Sequence, residues 1–398
     1  MGSTGSSKRT SSDRNYVLYL EPFGRGSHKA AAESYRRCSR FPVKVVYTDI
    51  ISWKKCMLSS ALRYFDELDE SVWRYCRAVV VSDLVDVAHI HSFLAKRGLN
   101  RRIILLMHEN QLTYPLPSDR KPPDELVFKN LTSCLSADII AWNSPFHRDS
   151  FLSSLPEFLS EYRLENKAEI YRTEILTRSA VVGMPVDIDE LLPVDGRIER
   201  FSTPTIVWAA RWDYDKNPEE FFYALELMEE KYLPEGFEYR VAVMGEPTEN
   251  PPRCFEEARK RLSGRIVAWG FKEREEYVDI LRQSHIFVST AKHEFFGLAA
   301  CEALACGLIP VFPDRLSYPW LLSGMGEAGK DYLYHSTKEL AAMMAKRLRQ
   351  VSSADDADAI DDCSDLYNSV IDFTAYSYAR RLDGLCTGKT PSRISVTR

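Results

Sequence analysis

The sequence predicts an α/β protein made of two Rossmann-like, doubly wound domains that face a central cleft. Three observations predict it. Short apolar or β-branched runs alternate with amphipathic stretches through the first half, glycines and prolines interrupt that alternation between Gly183 and Gly196, and a second series of runs resumes at Thr205. A chain of 398 residues with 45% hydrophobic and 12% aromatic content can bury ample core and is too long for one ordinary domain.

The first series occupies 16–20, 43–47, 78–82, 103–107, 138–142 and 180–183. A β-α-β alternation of this kind builds a parallel sheet covered on both faces. Ahead of it, residues 1–14 are polar and Ser/Gly-rich and read as a disordered leader, so the first domain is set at 15–185. The interruption is read as a linker over 186–200. The second series occupies 205–209, 239–244, 265–269, 285–289 and 308–312, each run leading into a loop and then a helix. Residues 336–386 read as amphipathic helices with an acidic interruption around 355–362, and the chain is polar from Thr387; the second domain is set at 201–376 and a tail at 377–398. Two doubly wound domains would set both groups of strand carboxyl ends beside the intervening cleft, where ligands bind in such folds.

Composition narrows the function. The formal net charge of −5 argues against a general nucleic-acid binder. Its distribution is uneven: residues 1–185 carry +5 and residues 186–398 carry −10, which makes the first half the anion-facing one. The nine cysteines are odd in number and form no Cys-x-x-Cys pair, which fits free thiols in a reducing cytoplasm and gives no zinc signal. No apolar run approaches the roughly 18 residues that span a bilayer, so no membrane partner is expected.

The strongest local signal lies at 289–307, where Glu294 and Glu302 flank Phe296-Gly297-Leu298. The run at 285–289 reads as a strand and the Ala/Leu/Cys-rich stretch after Gly297 as a helix, so Glu294 belongs to a strand-to-helix loop. Gly297 allows close approach of a ligand, and amides opening the helix suit a diphosphate. Glu302, about a turn and a half into the helix, can accept from ribose hydroxyls while Glu294 accepts from hexose hydroxyls. Its apolar neighbours make an idle carboxylate there costly.

After the run at 205–209 come Arg211 and Lys216, two cations able to neutralise a departing nucleoside diphosphate in place of a divalent ion. Asp213 and Asp215 read as carboxylates that orient them. The Asp-x-Asp triplets at 213–215 and 187–189 are too short to argue a Mg²⁺ site. Gly245, Gly270 and Phe271 end two further strands and can hold a nucleobase edge or serve as plain turn chemistry.

In the first domain, Glu21-Pro-Phe-Gly-Arg-Gly26-Ser27-His28-Lys29 follows the first strand as a glycine-bearing phosphate cradle without Walker spacing. His108-Glu109-Asn110-Gln111 places four hydrogen-bonding side chains at another strand's carboxyl end, and it is not a His-Glu-x-x-His metal motif. Asn143 adds a polar group to the same rim.

Arg211 with Lys216, then Glu294 and Glu302 around Phe296-Gly297, resemble the retaining family 4 glycosyltransferases of the GT-B fold. More closely, the segments 21–29, 108–115, 211–218 and 289–297 look like those of the tRNA-queuosine mannosyltransferase group, except that Arg25 stands between Gly24 and Gly26 where that group has adjacent glycines. The resemblance implies transfer of mannose from GDP-mannose onto the cyclopentenediol of queuosine in a tRNA anticodon, with no metal and no other cofactor. It implies that Arg211, Lys216 and Glu294 carry the chemistry, and that Gly26, Gly245, Gly270, Phe271, Phe296, Gly297, Leu298 and Glu302 bind the donor. Ser27, His28, His108, Glu109, Asn110 and Asn143 line the acceptor side, with Arg101 and Arg102 expected to meet the tRNA. The departing phosphate oxygen takes the acceptor proton in such a reaction, so no protein base is needed. Other readings keep the donor but give it a small-molecule, lipid or glycan acceptor, or make the chain a nucleotide-sugar epimerase or a non-catalytic nucleotide-binding module.

Overall fold

The computed structural model describes residues 15–50, 52–115, 123–192, 199–353 and 363–390. The expected leader at 1–14, residues 193–198 of the expected linker, the acidic interruption at 355–362 and residues 391–398 lie outside them.

Residues up to Pro185, with a returning segment from Ala375, make one compact unit, and Val186–Thr374 make a second. The first holds a six-stranded sheet from β1 (Tyr16–Phe23), β2 (Val43–Thr48), β3 (Cys76–Ser82), β4 (Arg102–Met107), β5 (Ile139–Trp142) and β6 (Ser179–Val181). Their order is β2-β1-β3-β4-β5-β6, and the pairs are parallel. The inner strands are largely apolar because both faces of the sheet are covered there. Leu18, Leu20, Val79, Val81, Ile103 and Leu105 join one core, whereas Val17, Tyr19, Ala78, Val80, Ile104 and Leu106 join another on the opposite side.

The second unit repeats the plan with β7 (Thr205–Ala209), β8 (Arg240–Met244), β9 (Ile266–Gly270), β10 (Ile286–Val288), β11 (Ile309–Pro313) and β12 (Leu333–Tyr334). The order is β12-β11-β10-β7-β8-β9, again parallel. In such sheets the strand order reverses at one point, between β1 and β3 in the first unit and between β7 and β10 in the second. The helices diverge there and leave a crevice beyond the carboxyl ends.

Two expected boundaries need correction. Residues 186–192 are no free linker: Val186 bridges Thr374, and the Arg282 guanidinium donates to the carbonyls of Glu190, Leu191 and Leu192. Nor does a tail begin at 377. Ala375–Cys386 is a helix that buries Tyr378, Ala379, Leu382 and Leu385 against the first sheet, so the chain returns to the unit in which it began. Amphipathicity marked the helix but did not say which sheet it would cover.

Candidate active site

In the second unit the loops after β7 and β10 leave the crevice edge side by side. The β7 loop ends in a tight turn, with Asn217 in the left-handed region at φ 52° ahead of Pro218. Thr290 from the β10 loop fixes this turn: its hydroxyl lies 2.9 Å from the carbonyl oxygens of both Lys216 and Asn217, and it accepts from Trp208 Nε1 at 3.1 Å. Lys216 is thereby held with its ammonium donating to the His293 carbonyl at 2.8 Å and to Glu294 at 3.3 Å, while Asp215 stands 3.2 Å away. Burial would lower the lysine's pKa, but the two carboxylates outweigh it and hold it above the ordinary value. Burial acts upward on Glu294 in turn, and Lys216, His293 and backbone amides override it and keep the carboxyl below its usual range.

Lys216, Glu294, Gly297, Ala299 and Ala300 line a small recess together with Ser289 and Tyr318. Gly297 sits at φ 93°, and a Cβ there would come within 3.2 Å of Leu321 Cδ1, so both the backbone angle and the packing call for glycine. Its amide donates to Glu294 Oε1 at 3.0 Å. Helix Leu298–Ala305 then opens on the recess with no side-chain cap and no acid in its first turn, an end suited to an anion.

Other expected donor residues lie apart from this group. The Phe296 ring turns away from the recess, edge-on to Phe373 at 5.1 Å, and is core. Glu302 is buried, but its oxygens accept from Arg274 at 2.6 Å and Tyr277 at 2.9 Å. Desolvation still leaves its pKa above the ordinary value. These two partners come from helix Arg274–Gln283, and no local motif pointed to them. Arg211 is half exposed and 3.8 Å from Asp213, so both loop aspartates do face the cations they were expected to orient. Gly245, just past β8, lies so close to the chain leaving β7 that a Cβ would run into the Ala210 carbonyl oxygen, which is packing chemistry. Gly270 ends β9 and Phe271 beyond it is exposed.

In the first unit a second polar group lies across the carboxyl ends of β1, β3, β4 and β5. Glu21 is fully buried and accepts from the Phe23 amide, while His28 Nδ1 lies 3.0 Å from its other oxygen. The His28 ring lies 4.5 Å from that of His108 and tilted by 38° to it, and the His108 amide donates to Asp83 while its carbonyl accepts from Asn143. Burial would push the His28 pKa down, but Glu21, Asp83 and Glu109 outweigh it and raise it to about 9. Burial carries Asp83 up to about 7 and holds His108 well below its ordinary value. Among the described residues neither His108 ring nitrogen has a hydrogen-bond partner, although the residue is only 7% exposed. Glu21, His28 and His108 also place one ligand atom each within 4.8 Å of the others, a grouping to which neither Asp-x-Asp triplet belongs.

Ser27 and Glu109 are exposed at this rim and Gly26 opens the helix after β1. Asn110 is a correction, because its side chain is spent on Thr113 in its own loop. Arg101 and Arg102 are another. Arg102 opens β4 and Arg101 stands just before it, about 17–20 Å from the strand's carboxyl end, and the Arg101 guanidinium binds the carbonyls of Trp73, Arg74 and Asn100. Asp83 was missed, since a lone strand-end aspartate has no sequence signature.

Residues 16–186 match the family described as tRNA-queuosine alpha-mannosyltransferase N-terminal, and residues 199–353 match glycosyl transferases group 1. The Drosophila melanogaster tRNA-queuosine alpha-mannosyltransferase is 28% identical over 334 residues, covering 82% of this chain and 85% of that protein. The chain belongs to the tRNA-queuosine mannosyltransferase group of GT-B glycosyltransferases. A probable sucrose-phosphate synthase of Thermosipho melanesiensis is 29% identical over 49% of this chain and 45% of its own length. Among solved structures, the sucrose-phosphate synthase of Thermosynechococcus elongatus superposes on this glycosyltransferase with a TM-score of 0.67 at 12% identity, covering 94% of this chain and 98% of that one. Apo OtsA gives 0.62 at 14% identity over 95% and 100%. Both likenesses bear out the two-unit parallel α/β fold. No helix among the described residues is long and apolar enough to cross a membrane.

Proposed function

We propose that this glycosyltransferase moves mannose from GDP-mannose, with retention and without a metal, onto the cyclopentenediol of queuosine in a tRNA anticodon. The observation that carries the reading is the Lys216–Glu294 pair, held at the carboxyl ends of β7 and β10 beside the uncapped start of helix Leu298–Ala305. The match over 82% of the chain to a relative named for this acceptor supports the tRNA.

In this reading Lys216, with Arg211, takes up the charge that grows on the diphosphate as the bond from sugar C1 to phosphate oxygen breaks, and the helix amides share it. Glu294 accepts from hexose hydroxyls and keeps Lys216 in place. The acceptor hydroxyl bonds to C1 on the face the phosphate leaves, and its proton passes to the departing oxygen. Glu302, pinned by Arg274 and Tyr277, offers its remaining lone pairs to the ribose. The eight cysteines whose side chains are described are free, which fits a reducing compartment, and in this reading that compartment is the cytoplasm.

The test is to incubate the protein with queuosine-containing tRNA and a panel of labelled nucleotide sugars, then digest to nucleosides. Label from GDP-mannose on queuosine, with the α-configuration kept and full activity in chelator, is the expected result. Label on a lipid or small acceptor, or release of an altered free sugar, would overturn it.

A further inference from the structure

The two helices that follow β1 and β2 begin with cations. Lys29 lies in the first turn of helix Gly26–Cys38, Lys54 and Lys55 lie in the first turn of helix Trp53–Glu67, and neither first turn holds an acid. Arg25 stands just before Gly26, and all four side chains are exposed. The amino end of a helix repels positive charge, so this placement works against the helices themselves. Elsewhere the chain does the reverse, with Asp124 and Glu125, Glu219 and Glu220, Glu256 and Glu257, and Glu275 and Glu276 in first turns.

The cations are gathered by the fold. β1 and β2 are paired as far as Phe23 and Thr48, and Trp53 packs with Phe23 on one small cluster around Met57 and Leu84. The Lys54 ammonium lies 5.4 Å from the Trp53 ring centroid, and Phe23 meets His28 edge-on at 5.9 Å. They therefore border the strand ends where His108 keeps two buried ring nitrogens without partners among the described residues. Exposed cations around an aromatic ring are the chemistry that grips a single-stranded phosphate backbone.

We propose that Arg25, Lys29, Lys54 and Lys55 form a contact rim for RNA phosphates, seating the strand that carries the target nucleotide beside His28 and His108. The inference rests on the tRNA acceptor proposed above and adds the surface that holds it. The test uses the full chain and a dye-labelled, unmodified anticodon stem-loop, with anisotropy read over a salt series. Lys54→Ser with Lys55→Ser is expected to reduce the slope of log Kobs against log salt by about 1.5 and to weaken binding on the order of tenfold, as two lost phosphate contacts require. Arg25→Ser, which lies outside both helices, reduces the slope by about 0.8. The thermal midpoint of the double lysine variant stays level or rises, because cations have left a helix amino end, which separates lost contact from lost folding. Arg259→Ser with Lys260→Ser, exposed on the second unit, leaves the slope unchanged.

Transfer to queuosine-containing tRNA by the double lysine variant shows a raised KM and an unchanged kcat. A wild type that does not bind the stem-loop, or lysine and Arg25 variants that keep its affinity and slope, would overturn the rim while leaving the acceptor assignment standing. Rim-dependent binding by a wild type that transfers no sugar to tRNA would refute the acceptor assignment and leave the RNA surface in place.

Discussion

Lys216 is caught between two duties, and they can be separated. Asp215 is 2% exposed and Lys216 lies 3.2 Å from it, so Lys216→Ala removes a cation from the recess and also leaves a buried carboxylate without its partner. Breaking a buried pair from one side costs about 3–5 kcal/mol, whereas removing both charges together costs far less. Lys216→Ala is therefore expected to lose transfer and to lower the denaturant midpoint. Adding Asp215→Asn should return most of the stability and none of the transfer. If the double variant recovers transfer, Lys216 is only a structural partner of Asp215 and its assignment to the diphosphate fails.

The two strand-end clusters were legible in the sequence to different degrees. The eleven expected strands all form within three residues of their predicted limits, because apolar runs bounded by turns leave little freedom; β12, two residues long, gave no run to see. Lys216 and Glu294 were legible because each sits in a loop whose flanking strand and helix are both plain. The row formed by Glu21, Asp83, His108 and Asn143 was legible only in pieces, since the order β1-β3-β4-β5 that aligns it is a property of the sheet. That row predicts a pH dependence. His28 is raised from 6.5 to about 9, so it binds a proton more tightly folded than unfolded; its contribution is whole below pH 6.5 and disappears as pH rises through 9. Asp83, raised from 3.8 to about 7, acts in the same direction between those two values. The His28 share is about 3 kcal/mol. The thermal midpoint should fall between pH 6.5 and 9, and Glu21→Gln should flatten that fall while shifting the His28 ring-proton titration downward. A midpoint rising with pH over this range would contradict the His28–Glu21 pairing.

The chain crosses between its two units twice, and the second crossing completes the first unit. Helix Ala375–Cys386 supplies Tyr378, Leu382 and Leu385 to one face of the β1–β6 sheet. Its Asp383 accepts from the Tyr35 hydroxyl at 2.9 Å, the Ser39 hydroxyl at 2.7 Å and the Arg40 amide at 3.0 Å. Residues 15–185 alone would therefore expose an apolar sheet face and strand three donors, so the unit gains its last layer only when the final helix has been made. Asp383→Ala in the full chain leaves those donors without an acceptor, at roughly 1–3 kcal/mol for each one that stays buried. A loss of about 3 kcal/mol is expected, confined to the first unit. Hydrogen exchange should show faster opening in helix Gly26–Cys38 with the amides of β7 to β11 unaffected. Truncation after Thr374 should go further and abolish cooperative unfolding of the first unit. A truncated chain whose first unit still unfolds in one sharp transition would show that the returning helix is an accessory layer and that residues 15–185 fold alone.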